Sequence, residues 1–237
     1  GGALSPKLLQ ISGVGAGEHL RRIGVDVVLD SPQVGRNLLE HRYMRLQYRL
    51  KHWASYNREF TGARLYWNAL RYFLLNAGPL KSGAFDAGVS ARSAPDVDRA
   101  DIQINMLPAT IDNRNTGFAF EKQPGLQMIT YVMRPRSQGY VLARSADPAA
   151  APEIRANYLT DPYDREISVR AARYARRLAA QPALAGLIAD ETEPGEAAQS
   201  DEDIVAAFAR GGGPCQHASS TCRMGIDDKA VVDPATL

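Results

Sequence analysis

From His41 onward the chain alternates with a period of two: Met44, Leu46, Tyr48 and Leu50 against Tyr43, Arg45, Gln47 and Arg49. Successive side chains of a strand point to opposite faces, so the spacing predicts a strand with one buried face. The alternation recurs at Ile102, Ile104 and Met106 against Gln103 and Asn105, and less cleanly at Leu126, Met128, Thr130 and Val132. Strands with one covered and one wetter side read as antiparallel. Two shorter strands are expected at 140–144 and 154–159. With the helices below, this is an α+β chain.

The helix signals are capping residues and 3.6-residue spacing. Ser5 as N-cap, Pro6 at the first helical position and Gly13 after the last turn delimit a short helix. A second is expected over 18–23, closed by Gly24 and followed by the apolar run Val25, Val27, Val28 and Leu29, read as a strand. A third lies near 63–76, stopped by Gly78 and Pro79; it is expected to pack on the sheet or line a pocket. On it Tyr66, Trp67, Tyr72 and Phe73 read as core, with a substrate mouth as the other reading. Asp161 and Pro162 open the clearest helix, with Ile167, Ala171, Tyr174 and Leu178 along its apolar stripe. Its Arg165, Arg170, Arg173, Arg176 and Arg177 read as a solvated side. Ser200 and Asp203 form a capping-box pattern before a last helix, and Gly211 to Pro214 read as a linker or tight loop.

Several classes of function drop out. Lys and Arg total 28 against 26 Asp and Glu, for a net charge of +2, with no block of five or six like charges, which argues against nucleic acid. The most apolar helical stretch is short and contains Arg71, so no transmembrane segment is expected. Gly13 to Gly17 lacks the third glycine of a dinucleotide fingerprint and follows a helix, not a strand, so it reads as a turn. Cys215 and Cys222 are too few for a disulfide framework, and a reducing, cytoplasmic setting fits them. Cys215, His217 and Cys222 lack standard zinc spacing, so no metal is expected. Ser219 and Ser220 lack the elbow of a serine nucleophile. Taken alone, His217 reads as a hydrogen-bonded loop histidine.

The order of residues around His217 and elsewhere gives a sharper expectation. Gly1 to Gly15 runs small-small-x-x-Ser-Pro-x-aliphatic-aliphatic-x-x-Ser-Gly-aliphatic-Gly, which closely resembles the second signature of the glucose-methanol-choline (GMC) flavin oxidoreductases. Val34-Gly35-Arg36-Asn37-Leu38-Leu39-Glu40-His41 resembles their Val-Gly-x-Asn-Leu-x-Asp-His segment. Pro135-Arg136-Ser137-Gln138-Gly139 resembles their Pro-x-Ser-x-Gly connection. His217 to Gly225 resembles His-x-x-Gly-Thr-Cys-Arg-Met-Gly, and Val231-Val232-Asp233-Pro234 follows where the family has the same run. Gly2, Glu40 and Ser220 depart from the usual Ala, Asp and Gly; Ser220 matters if that position needs positive φ.

The resemblance implies part of an FAD-binding α/β domain plus a substrate domain with a mostly antiparallel sheet flanked by helices. It divides the chain into 1–36 (FAD-binding part), 37–200 (substrate-binding) and 201–237 (return to the FAD domain with the active-site loop). It implies FAD as cofactor, with Gly1, Gly2 and Ala3 passing close to it, and His217 as the catalytic residue. Imidazole suits proton transfer near neutral pH. The implied reaction moves hydride from a primary alcohol to the flavin, giving an aldehyde, with oxygen or a quinone-like carrier as electron acceptor. Asn37 and His41 are expected to fasten the segment leading into the sheet. The family's amino-terminal G-x-G-x-x-G and its second catalytic His or Asn are not in these 237 residues. The chain is therefore expected to begin and end inside the FAD domain, and alone to be colourless and poorly soluble. The competing expectation is a truncated, inactive chain or a binding module without flavin.

Overall fold

The computed structural model describes residues 1–112 and 119–236. In chain order the elements are α1 (Leu4–Ile11), β1 (Val14–Gly15), α2 (Gly17–Arg22), β2 (Leu29–Asp30), β3 (Arg42–Leu50) and α3 (Gly62–Leu75). After a 3₁₀ turn (Pro79–Lys81) come β4 (Ala87–Ala91), β5 (Ile102–Leu107), β6 (Gly125–Val132), β7 (Tyr140–Leu142) and β8 (Glu153–Arg155). The chain continues through α4 (Pro162–Ala179), α5 (Pro182–Ala185), β9 (Ile188–Glu193), α6 (Asp201–Gly211) and β10 (Gly213–Pro214). It divides into two units: residues 1–42, 134–165 and 214–237, and residues 43–133 and 166–213. The fold is mixed helix and antiparallel sheet, as the sequence predicts.

The second unit is built on the alternating strands. Its six-stranded sheet runs β10-β3-β6-β5-β4, with β9 also pairing β3. β3 and β6 are antiparallel from Tyr43 opposite Tyr131 to Arg49 opposite Gly125, and β5 joins β6 and β4 in the same sense. The expected face is the buried one: Met44, Leu46, Ile102, Ile104 and Met128 are almost wholly covered. Ile167, Ala171, Ile204 and Phe208 carry the apolar stripes of α4 and α6 into the core. The Ser200 capping box forms on both sides: the Ser200 hydroxyl accepts from the Asp203 amide, and the Asp203 carboxylate from the Ser200 amide.

Several local expectations need correction. α1 starts at Leu4 with Ala3 as N-cap, so Ser5 lies inside it. Pro6 is tolerated because first-turn amides have no intrahelical partner anyway. The apolar run after α2 pairs only at Leu29–Asp30, parallel to β1, and leaves Val28 and Leu29 exposed. α3 forms where predicted but does not fill a core. Asn68 is its one fully buried residue, held by the Glu59 carbonyl and carboxylate, whereas Tyr66, Trp67, Phe73 and Leu74 face out. Composition reports how apolar a helix is, not what covers it. Arg176 is not solvated; its guanidinium makes a bidentate pair with the mostly buried Glu191 and also donates to the Ala198 carbonyl. The glycine run ends in a strand, β10, instead of a free linker.

The first unit is small and is knotted by polar side chains. The buried Gln10 amide donates to the carbonyls of Val34 and Val141, both at 3.1 Å, and its oxygen accepts from the Ala143 amide at 2.6 Å. One side chain of α1 thus fixes the 34–41 segment and β7. Asp164, at the start of α4, accepts from the amides of Arg136 and Ser137, both at 2.8 Å, locking the Pro-x-Ser-x-Gly turn. At Gly139 a Cβ would sit 1.8 Å from the Arg155 carbonyl oxygen, so no other residue fits where β7 approaches β8. Replacing Gln10 by Met keeps the volume but strands three buried backbone groups, each costing about 1–3 kcal/mol. Chemical denaturation of Q10M is expected to show a loss of roughly 3 kcal/mol or more; a loss under about 1 kcal/mol would mean that water satisfies these groups.

Candidate active site

Two segments far apart in sequence meet in the first unit. Leu39 and Ser219 exchange backbone hydrogen bonds at 3.1 and 2.9 Å, and the Cys215 amide donates to the His41 carbonyl at 3.0 Å. Between these rungs Oε1 of Glu40 accepts from two amides, that of His41 at 2.8 Å and that of His217 at 3.0 Å. One carboxylate therefore pins the backbone under both imidazoles. The rings meet edge to face at 88°, with Nδ1 of His41 3.0 Å from Nδ1 of His217. For that contact to be a hydrogen bond, one Nδ1 carries the proton and the other presents its lone pair.

The far end of this clasp is held as firmly. The Thr221 hydroxyl donates to the Gly2 carbonyl at 2.7 Å, and the Gly35 amide donates to the Thr221 carbonyl at 2.8 Å. A Cβ on Gly2 would lie 2.4 Å from the Ala218 carbonyl oxygen, so the small residue is required by the closeness of the His217 loop. Ser220 has φ of 71°, the left-handed region in which the related motif carries Gly. Asn37 takes the same conformation, with φ of 57°, and its amide donates to Gln33 and to the Lys229 carbonyl.

Gly1, Gly2 and Ala3 line a cavity of about 640 Å³ together with Leu38, Glu40, Tyr158, Gln216 and Ala218. Its wall is mainly apolar, with the small residues Gly1, Gly2, Ala3 and Ala218 beside larger ones such as Leu38 and Tyr158, and a Cβ on Gly1 would meet nothing within 4 Å. The Tyr158 ring stacks under the Arg42 guanidinium at 5.1 Å, and burial, with the Glu40 charge second, pushes its phenol up to about 12. Burial, and then Glu40, likewise pushes the Cys215 thiol up to about 12, and burial raises Cys222. Both cysteines are free, half-exposed thiols, and these shifts argue against either as a thiolate nucleophile.

The sequence singled out His217 and the Gly1-Gly2-Ala3 run: the run lines the cavity, whereas His217 lies between the lining residues Gln216 and Ala218 without lining it itself. His41, expected only to fasten its segment, sits ring to ring with His217. Cys222 does not join Cys215 and His217 in a cluster of potential ligands; His41 does. Glu40 and Tyr158 were missed. The acidic position before His41 carried the signal for Glu40, whereas nothing local marks Tyr158.

Residues 135–236 match the family model described as GMC oxidoreductase. The chain is 34% identical over 240 residues to an oxygen-dependent choline dehydrogenase of Staphylococcus xylosus, with 100% of this chain and 42% of that protein aligned. It is 38% identical over 237 residues to one of Burkholderia pseudomallei, covering 98% of this chain and 41% of that protein. The chain belongs to the GMC oxidoreductase family. It spans about two-fifths of the length of these curated relatives.

Solved structures share the fold: pyridoxine 4-oxidase from Mesorbium loti superimposes with a TM-score of 0.81 at 24% identity, over 99% of this chain and 42% of that one. An R554A variant of Aspergillus oryzae RIB40 formate oxidase gives 0.84 at 20% identity, over 94% and 43%. Among the described residues, no helix is long and apolar enough to cross a membrane.

Two predictions follow from the local chemistry. Ser220→Gly relieves a left-handed conformation that costs a non-glycine residue about 1–2 kcal/mol, partly offset by the freedom Gly gains when unfolded. Thermal melts are expected to show a small gain, and a marked loss would contradict the left-handed assignment. The raised Tyr158 phenol is a sign-definite probe as well. Its contribution to stability is full below pH 10 and is lost as pH rises through about 12. Tyr158→Phe should therefore flatten the alkaline arm of the stability curve in that window; an unchanged slope would place the phenol in water.

Proposed function

We propose that this chain supplies the proton-handling side of an FAD-dependent oxidoreductase that converts a primary alcohol to an aldehyde, with His217 as the catalytic base. The observation that carries the reading is the clasp: Glu40 pins the His217 backbone next to the cavity lined by Gln216 and Ala218, and Nδ1 of His217 turns to His41. That role requires His217 to be the Nδ1–H donor of this pair, because only that tautomer leaves an Nε2 lone pair to take the hydroxyl proton. A base must be held within hydrogen-bond reach in one tautomer to work well, and a His41 Nδ1 that accepts from His217 would hold that tautomer.

When bound, FAD supplies the hydride acceptor, chemistry that no side chain of this chain can provide. Gly1, Gly2 and Ala3 are the residues proposed to lie against it, because they are small groups that line the cavity and let a ring approach the backbone. His41 orients His217, and Glu40 orients both through their amides. The roles expected from the sequence form part of the proposal: residues 1–36 and 201–237 on the flavin side, 37–200 on the substrate side. The relatives named choline dehydrogenase support a choline-like primary alcohol as substrate. Their description as oxygen-dependent favours oxygen over a quinone-like carrier as the acceptor.

The test is rapid mixing of the protein as its gene encodes it, loaded with FAD, with choline and other primary alcohols. His217→Ala is expected to slow flavin reduction by about 10²–10⁴-fold, the span of a positioned acid–base group, while the flavin stays bound. Reduction at the unmodified rate in that variant would refute the role of His217.

A further inference from the structure

We propose that His41, Cys215 and His217 form a site for one thiophilic divalent cation, zinc above all, and that filling it shuts off His217 as a base. One nitrogen of each imidazole and the Cys215 sulfur lie within 4.8 Å of one another. Tetrahedral zinc, with bonds of about 2.0 Å to nitrogen and 2.3 Å to sulfur, holds its ligands roughly 3.3–3.6 Å apart. The two Nδ1 atoms, now 3.0 Å apart, need to open only slightly, and a sulfur at the 4.8 Å limit has to draw in by roughly 1.3 Å.

The site is held by backbone, not assembled by chance on a mobile surface. The Cys215 amide is bonded to the His41 carbonyl, and the amides of both histidines are bonded to Glu40. All three ligand-bearing residues are therefore fixed relative to one another before any ion arrives. The Glu40 carboxylate places a negative charge behind them, which favours a cation. His217 is exposed and the other two are half-exposed, so an ion has a way in. Two imidazoles and a thiol suit zinc and similar soft or borderline ions, and are a poor set for magnesium or calcium. The bland alternative is a histidine pair with a thiol packed beside it and no affinity for metal.

Binding needs no oxidant. The proton between the two Nδ1 atoms moves to Nε2 of its own ring, freeing both Nδ1 lone pairs for the ion. The thiol releases its proton to water as the metal–sulfur bond forms. Three protein ligands leave a fourth position for water. Sequence spacing missed this site because His41 lies 176 residues from His217.

Metal binding can be read without any flavin chemistry, so its failure is separable from failure of the proposed function, on which only the shut-off rests. Zinc is titrated into the metal-free full chain against a chelator, and cobalt(II) is used as a coloured probe of sulfur ligation. One equivalent is expected to bind, with a thiolate-to-cobalt charge-transfer band. Cys215→Ser and His41→Gln are each expected to weaken zinc about tenfold or more, and Cys215→Ser to abolish the band. No saturable binding to the unmodified chain, or equal affinity in Cys215→Ser, would overturn the site. In the FAD-loaded protein, zinc is expected to slow flavin reduction by alcohol, with Cys215→Ser about tenfold less sensitive. Equal inhibition of both proteins would overturn the shut-off even if the metal binds.

Discussion

The arrangement around His217 depends on one carboxylate oxygen. Oε1 of Glu40 accepts the amides of His41 and His217, residues brought together from distant parts of the chain. Hydrogen bonds to an ionised acceptor are about twice as strong as neutral ones, and here two of them converge on one atom. Without this carboxylate two backbone donors of the clasp would lose their partner.

Around that point the rest of the first unit acts as support. Gln10 ties α1 to the 34–41 segment and to β7, and Asp164 locks the turn that leads into β7. Thr221 and Gly35 close the other end of the loop. Glycine is needed at positions 2 and 139 because backbone atoms pass where a Cβ would be. These are polar and steric constraints rather than burial of a large apolar core, as suits a unit whose elements are short.

What could be read from the sequence follows from range. The strands of the second unit repeat every two residues, and the α6 capping box spans three, so local pattern was enough to find both. The meeting of His41 with Cys215 and His217 has no local signature, and only the ordered motifs hinted that the segments belong together. The aromatic residues of α3 read as core because sequence reports apolar character and not the presence of a covering surface. Arg176 read as solvated because its partner Glu191 lies on a later strand.

The central claim is that His41 and His217 share one proton between their Nδ1 atoms. Nitrogen-15 NMR of the chain, labelled at its four histidines, tests it most directly. The account predicts one strongly downfield, slowly exchanging Nδ1–H signal that disappears in both His41→Gln and His217→Gln. A signal that survives either substitution, or two imidazoles whose spectra ignore each other, would contradict it.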